Sequence, residues 1–227
     1  MTSVEFPTGE NVPGSDGDKP SRKKAHNLYG QAMGRKGRET RERLLRATVE
    51  LLDQRSIRDI SVADIASLSG TSSSGFYIYF SDVPAAVLAA AESVDQITPE
   101  IESILSQPWP QSSAQQLAVR LVNAYVNFWS RHPAILRVRN LAADEGDLRF
   151  RDVRHRSVSI IHDLLEARIA EADNGLDPSA GASTVLALME RIAAISRLPY
   201  RGHHSRKSLI NSAAFLVAQG LTTRSRR

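Results

Sequence analysis

Asp59-Ile60-Ser61-Val62-Ala63-Asp64-Ile65-Ala66, then Ser69-Gly70-Thr71-Ser72, then Phe76-Tyr77-Ile78-Tyr79-Phe80: these three runs decide the fold. Ser61 is a good N-cap with a carboxylate three positions on at Asp64, a variant of the capping box, so a helix starts at Val62. Val62, Ile65, Ala66 and Leu68 share a face of that helix, and Ser69-Gly70 stops it, glycine tolerating the left-handed turn that follows a helix. Thr71 and Ser72 offer a second cap, behind which another short helix is predicted over 73–80. Phe76 and Phe80 are four apart and share a face; Tyr77 lies off it. Two helices this short bury too little to stand alone. Joined by a tight glycine turn under a longer first helix, they form the unit that sets its second helix in a DNA major groove.

Upstream, Leu44, Leu45, Ala47, Thr48, Leu51 and Leu52 recur at helical spacing and predict a first helix from Arg38 to about Gln54. Residues 1–34 mix Pro7, Pro13, Pro20, Gly9, Gly14, Gly17 and Gly30 with scattered charges, so a disordered tail is expected there. Downstream, Asp82 caps a helix with Pro84 in its first turn, running from Val83 towards Leu105 and ended by Gln107-Pro108-Trp109-Pro110. Leu117, Leu121, Ala124, Tyr125, Phe128 and Trp129 mark the next helix, broken before Pro133. Val153, Val158, Ile161, Leu164, Leu165 and Ile169 mark a long one ending at Asn174-Gly175. Val185, Leu188, Met189, Ile192 and Ile195 mark another, stopped by Pro199, and Leu209, Ile210, Ala213, Leu216 and Val217 mark the last. Strand-like alternation and internal repeats are absent. The expected fold class is all-α, with a helix-turn-helix domain over 35–82 and a larger helical domain over 83–227.

Composition narrows the function. The chain has 227 residues, 41% of them hydrophobic, which is enough to fold most of its length. It has no cysteine, which excludes disulfides, thiolate catalysis and cysteine metal sites. With no signal-peptide pattern and no apolar run long enough to span a bilayer, a soluble cytoplasmic protein without a membrane partner is expected. No glycine-rich phosphate loop, nucleophile elbow, metal-ligand set or cofactor motif is present, so an enzyme is not expected. Asp144, Glu145 and Asp147 read as a solvated loop. His132, His155 and His162 lack metal spacing to one another or to carboxylates, and His203-His204 sits in a polar loop; all read as surface or hydrogen-bonded histidines. The net charge of +4 is small, but Arg22, Lys23, Lys24, Arg35, Lys36, Arg38, Arg41, Arg43 and Arg46 cluster against only Glu39 and Glu42. Such a cluster attracts phosphate, or solubilises a tail.

The stretch from Arg43 to Leu88, about a fifth of the chain, resembles the tetracycline-repressor (TetR) family of transcriptional regulators. The resemblance implies that Thr71, Ser72, Ser73, Ser74 and Gly75 open a recognition helix and meet base edges or phosphates, with Ser61 beside them. It implies that Tyr77 and Tyr79 touch the DNA backbone and that Phe76 and Phe80 are core. Many members carry a phosphate-contacting lysine where this chain has Val83, preceded by Asp82; the N–H groups of the helix N-terminus are the partial substitute, which the nearby Asp82 opposes. Serines discriminate weakly among bases. Shape readout is then expected, with Arg35, Lys36 or Arg38 reaching an adjacent minor groove.

The last two helices carry apolar stripes wider than a lone surface helix needs. By the resemblance, Val185, Leu188, Ile192, Leu209, Ala213, Leu216 and Val217 pair with the same helices of a second subunit; packing within one chain is the other reading. Trp109, Tyr125, Phe128, Trp129 and Met189 suit either an apolar ligand cavity or an ordinary core. The expected function is a homodimeric repressor on a pseudo-palindromic double-stranded DNA operator, released by a small hydrophobic effector. The alternative is a constitutive DNA-binding or bridging protein without a ligand.

Overall fold

The structure is a computed structural model that describes residues 26–94, 98–196 and 205–222. His203-His204 and residues 1–25 of the expected tail lie outside the described residues. The described residues form ten α-helices and no β-strand beyond a single bridge between His26 and Ala32.

Helix α1 spans Arg35–Gln54 and buries Leu44, Ala47, Thr48, Leu51 and Leu52. A 3-10 turn over Ile57–Asp59 leads to α2 (Val62–Ser69), where the capping box closes as expected. Ser61 Oγ accepts from Asp64 N at 3.2 Å, and Asp64 Oδ2 accepts from Ser61 N at 2.8 Å. Gly70 ends α2 at φ 68, in the left-handed region that a side chain would strain. Helix α3 covers only Ser73–Phe76. The expected helix to Phe80 gives way to a tighter turn in which Tyr79 N donates to Phe76 O at 2.9 Å.

The expected single helix from Val83 to Leu105 is two: α4 (Val83–Ser93) and α5 (Pro99–Ser106). Thr98 caps α5 and Pro99 takes its first position, where a missing N–H costs nothing. Helix α6 (Ala114–Arg131) follows, then α7 (Pro133–Asp144), which the sequence reading passed over by taking Pro133 as a stop. Asp147, expected in a solvated loop, caps α8 (Leu148–Ala172), and α9 (Pro178–Ile195) and α10 (Arg206–Leu221) complete the chain. Helix α6 runs through the middle against α5, α9 and α10, while α7 packs against α8, α4 and α1. That last contact, together with the packing of α1 on α4, joins the two halves. At the α6–α7 joint, burial and then Arg131 hold His132 below the usual imidazole range, opposed by Asp53 of α1. Among the described residues no helix is long and apolar enough to cross a membrane.

The capping box makes a direct prediction. Its hydrogen bonds from Ser61, with Arg55 nearby, hold the Asp64 carboxyl below its ordinary range. A carboxylate with a depressed folded pKa stabilises the fold above the ordinary carboxylate range, and that stabilisation is lost as pH falls through the folded value. Ser61→Ala should cost about 0.5–2 kcal/mol in thermal or urea unfolding. The difference between the two proteins should shrink under strong acid.

Candidate nucleic-acid interface and the interior behind it

The sequence from Ser72 to Phe80 sorts its side chains by face. Phe76 is fully buried and Phe80 nearly so, with ring centroids 5.6 Å apart, and the Arg41 guanidinium covers the Phe80 ring at 5.4 Å. Tyr77 is 47% exposed and Ile78 38%, while Tyr79 is half-buried beside α1. Ser72, Ser73 and Ser74 are exposed and Thr71 half-exposed. Ser72 Oγ caps α3 by accepting from Gly75 N at 3.1 Å and lies 2.9 Å from Ser74 Oγ. Gly75 is required by close approach: a Cβ there would meet Thr71 Oγ1 at 2.7 Å. The Ser61 hydroxyl is already engaged with Asp64, donating to Oδ2 at 2.6 Å. Of the basic residues, Arg35 stands 81% exposed beside Glu39, and Lys36 is also exposed. Arg38 instead donates to Met33 O at 2.7 Å.

Three local features bear on this face. Val83 points into the core at 9% exposure, so this side chain offers nothing to DNA. Asp82 Oδ1 accepts from Ala85 N at 2.7 Å and so places a negative charge on the α4 N-terminus, against phosphate binding there. The end of the supposed disordered tail is folded. Asn27 Oδ1 accepts from Tyr29 N and Gln31 N, Gly30 takes φ 74, and Leu28 N donates to Ile78 O at 3.1 Å. An asparagine turn with glycine at its tip thus lies against the segment that follows α3.

Behind α7 is an interior polar cluster that sequence reading missed. Arg139 on α7, 2% exposed, donates to Ser157 Oγ at 2.5 Å and to Asn140 Oδ1 at 3.1 Å. Arg154 on α8 pairs with the buried Glu190 of α9 at 2.5 Å and lies 3.5 Å from Asp144. Glu190 also accepts from Asn140 at 3.3 Å. Burial pushes the Tyr125 hydroxyl up, Glu190 adds to the shift, and Trp129, Arg139 and Arg154 oppose it. Two buried donors among the described residues complete no hydrogen bond: Trp129 Nε1 and Arg154 Nε.

Of the aromatic and methionine residues expected around a ligand, Tyr125, Trp129 and Met189 are buried and Phe128 is half-buried, 6.3 Å from the Tyr125 ring. Trp109 is buried too, but its Nε1 donates to Ile104 O at 3.0 Å and ties down the end of α5. The expected dimer stripe is largely covered within the chain. Val185, Ile192, Ala213 and Val217 are buried, because α10 packs on α6 as well as on α9. Leu188 and Leu209 are half-buried. The apolar residues left outside are Leu216 at 58% and its neighbour Phe215 at 55%. Leu216 and Leu188 line a groove of about 960 Å³ that also takes in Leu176, Ala180 and Thr184.

His162 is hydrogen-bonded, as expected, but unlike the expected spacing it lies close to carboxylates. His162 Nδ1 lies 3.9 Å from Asp163 Oδ1 and 3.6 Å from Glu166 Oε2, while Nε2 is 3.1 Å from Ser183 Oγ. The i,i+4 turn of α8 brings this imidazole to carboxylates in a surface cluster with Asp163 79% exposed.

This arrangement, a short exposed helix over an aromatic core joined to a helical body, is that of a helix-turn-helix regulator. The chain belongs to the TetR family. Residues 101–226 match the model described as tetracyclin repressor-like, C-terminal domain, and residues 44–82 match bacterial regulatory proteins, tetR family. The chain is similar to the uncharacterized HTH-type transcriptional regulator YvdT of Bacillus subtilis, 24% identical over 67% of this chain and 79% of that protein. Its fold resembles that of FadR from Bacillus subtilis in complex with stearoyl-CoA (14% identity, 79% of this chain and 98% of that one, TM-score 0.61). It also resembles AibR in complex with isovaleryl coenzyme A and operator DNA (12% identity, 80% and 99%, TM-score 0.59). The family's members regulate transcription and are not enzymes.

Proposed function

We propose that the chain is a ligand-responsive repressor that binds a pseudo-palindromic operator as a homodimer and is released by a small, largely apolar effector. The observation that carries this reading is the path from the exposed α3 face, through α2 and α1, to α7, whose Arg139 and Asn140 belong to the interior cluster. A ligand that repositions α7 acts on the helix that supports the DNA-binding unit. The working division is a tail over 1–34, a DNA-binding unit over 35–82 and a sensing and dimerising unit from Val83 onward. Two subunits would meet on the α9–α10 face around Phe215, Leu216 and Leu188. The complexes of FadR and AibR with acyl-coenzyme A, and of AibR with operator DNA, support this reading by analogy of fold.

Ser72, Ser73, Ser74, Thr71 and Tyr77 are assigned to DNA, with Tyr79 and Gly75 shaping the face behind them. Ser61 is assigned to positioning α2. Arg35 and Lys36, with Arg38 behind them, are assigned to phosphates beside the recognition helix. Neutralising all three should lower operator affinity and flatten the plot of log affinity against log salt by up to about one unit of slope per lost contact. An unchanged slope would reduce this arm to a solubility element.

The ligand arm is tested by titrating candidate effectors while following operator binding. Coupling of about 1–3 kcal/mol is expected, with DNA weakening the effector by the same factor. A ligand that binds the helical body tightly and leaves operator affinity unchanged would favour a constitutive repressor.

A further inference from the structure

The turn ahead of α1 is built to keep one shape beside the DNA-binding unit. Asn27 Oδ1 accepts from Tyr29 N at 3.0 Å and from Gln31 N at 2.9 Å, and Asn27 Nδ2 donates to Gln31 Oε1 at 2.9 Å. Gly30 supplies the left-handed φ of 74 at the tip. Two attachments fix the turn in place. Leu28 N donates to Ile78 O at 3.1 Å, two residues past the end of α3, and Arg38 of α1 donates to Met33 O at 2.7 Å. The Tyr79 hydroxyl closes on the same region, 3.6 Å from where a Cβ on Gly37 would stand. Yet the turn leaves its own large side chains outside, with Tyr29 70% exposed and Leu28 54%. Tyr77 and Ile78 are exposed across the Leu28–Ile78 bond. Four of the eleven large hydrophobic side chains exposed among the described residues therefore gather here, and apolar groups held in water by a fixed backbone mark a contact surface.

What covers this surface follows from its place. Helix α3 has four residues, about 6 Å of helix, and a major groove is about 12 Å wide. With α3 in the groove, the segments that flank it come to the phosphate rims. The turn adjoins Tyr77 in space, through Ile78, and Arg35 and Lys36 in the chain, and all three are assigned to DNA. Just ahead of it the sequence carries Arg22, Lys23 and Lys24, a charge of the sign that phosphates attract. We infer that the turn over 27–31 is a second DNA-contacting element. The Tyr29 ring packs on a sugar at the groove edge, and its hydroxyl donates to a phosphate oxygen. Asn27 is a positioning residue: it presents Tyr29 and touches no nucleotide. The inference rests on the operator-binding reading and extends the DNA surface ahead of α1.

The test uses the full chain and the duplex it selects from random DNA. Tyr29→Ala should weaken binding to that duplex roughly ten-fold, each of two subunits losing a neutral hydrogen bond and its packing. Tyrosine carries no charge and releases no counterion, so the slope of log affinity against log salt should stay at the parent's value. Tyr29→Phe keeps the ring and should recover part of the loss. Asn27→Ala should match Tyr29→Ala, and the double variant should be no weaker than either, because both act through one contact. Every variant should melt within a few degrees of the parent, since the turn stands outside the core. Hydroxyl-radical footprinting should show sugars at the edge of each half-site protected by the parent and open with Tyr29→Ala. Parental affinity and footprint in Tyr29→Ala would overturn the inference and leave operator binding standing. A loss accompanied by a flattened salt slope would also overturn it, by tracing the effect to Arg35 and Lys36. A full chain that selects no duplex would remove the operator-binding reading, and this inference with it.

Discussion

Phe76→Ala should destabilise the N-terminal unit by about 3–5 kcal/mol, the usual cost of removing a fully buried aromatic ring. The ring is fully buried and rests against Phe80, in a helix that packs on α2. The unit is small, so a loss of this size should leave it largely unfolded at 25 °C while α6 to α10 still melt cooperatively. Tyr77→Phe removes only a hydroxyl from a half-exposed ring and should leave the melting curve unchanged. Its effect should appear as weaker binding to all DNA sequences alike. Circular dichroism melts and binding isotherms on both variants check this, and equal unfolding by the two would mean that the faces are wrongly assigned.

Leu216→Asp combined with Phe215→Asp should split the dimer. Both side chains are more than half exposed, so the change costs the single chain little. In a dimer it would bury two carboxylates per subunit without partners. Sedimentation should show monomers at micromolar concentration. Operator affinity should fall on the order of 10³-fold, the low end of the gap between specific and non-specific DNA binding, because one recognition helix reads too few bases alone. A variant that stays dimeric and keeps its operator affinity would move the interface elsewhere.

The DNA-binding unit was legible because its signals are local. Ser61, Asp64, Gly70, Phe76 and Phe80 lie within twenty residues, and each acts on a neighbour in the chain. The same reading misjudged prolines: Pro133 and Pro99 each begin a helix, and both were open to being read as first-turn residues. The turn at Asn27 went unseen because it is held partly by Ile78, fifty residues away. The stripes of α9 and α10 were correctly seen as apolar, but periodicity does not say whether α6 or a second subunit covers them. The interior cluster left no pattern at all. Tyr125, Arg139, Arg154 and Glu190 come from four helices, and only packing brings them together.

The most direct test of the account is selection of binding sites from random duplex DNA, followed by footprinting and by sedimentation of the selected complex. The account predicts a two-fold pseudo-palindrome with half-sites one helical turn, or a multiple of it, apart. It also predicts two chains, or a multiple of two, per site, with affinity falling steeply as salt rises. An asymmetric single half-site occupied by one chain, or binding indifferent to sequence and salt, would contradict it.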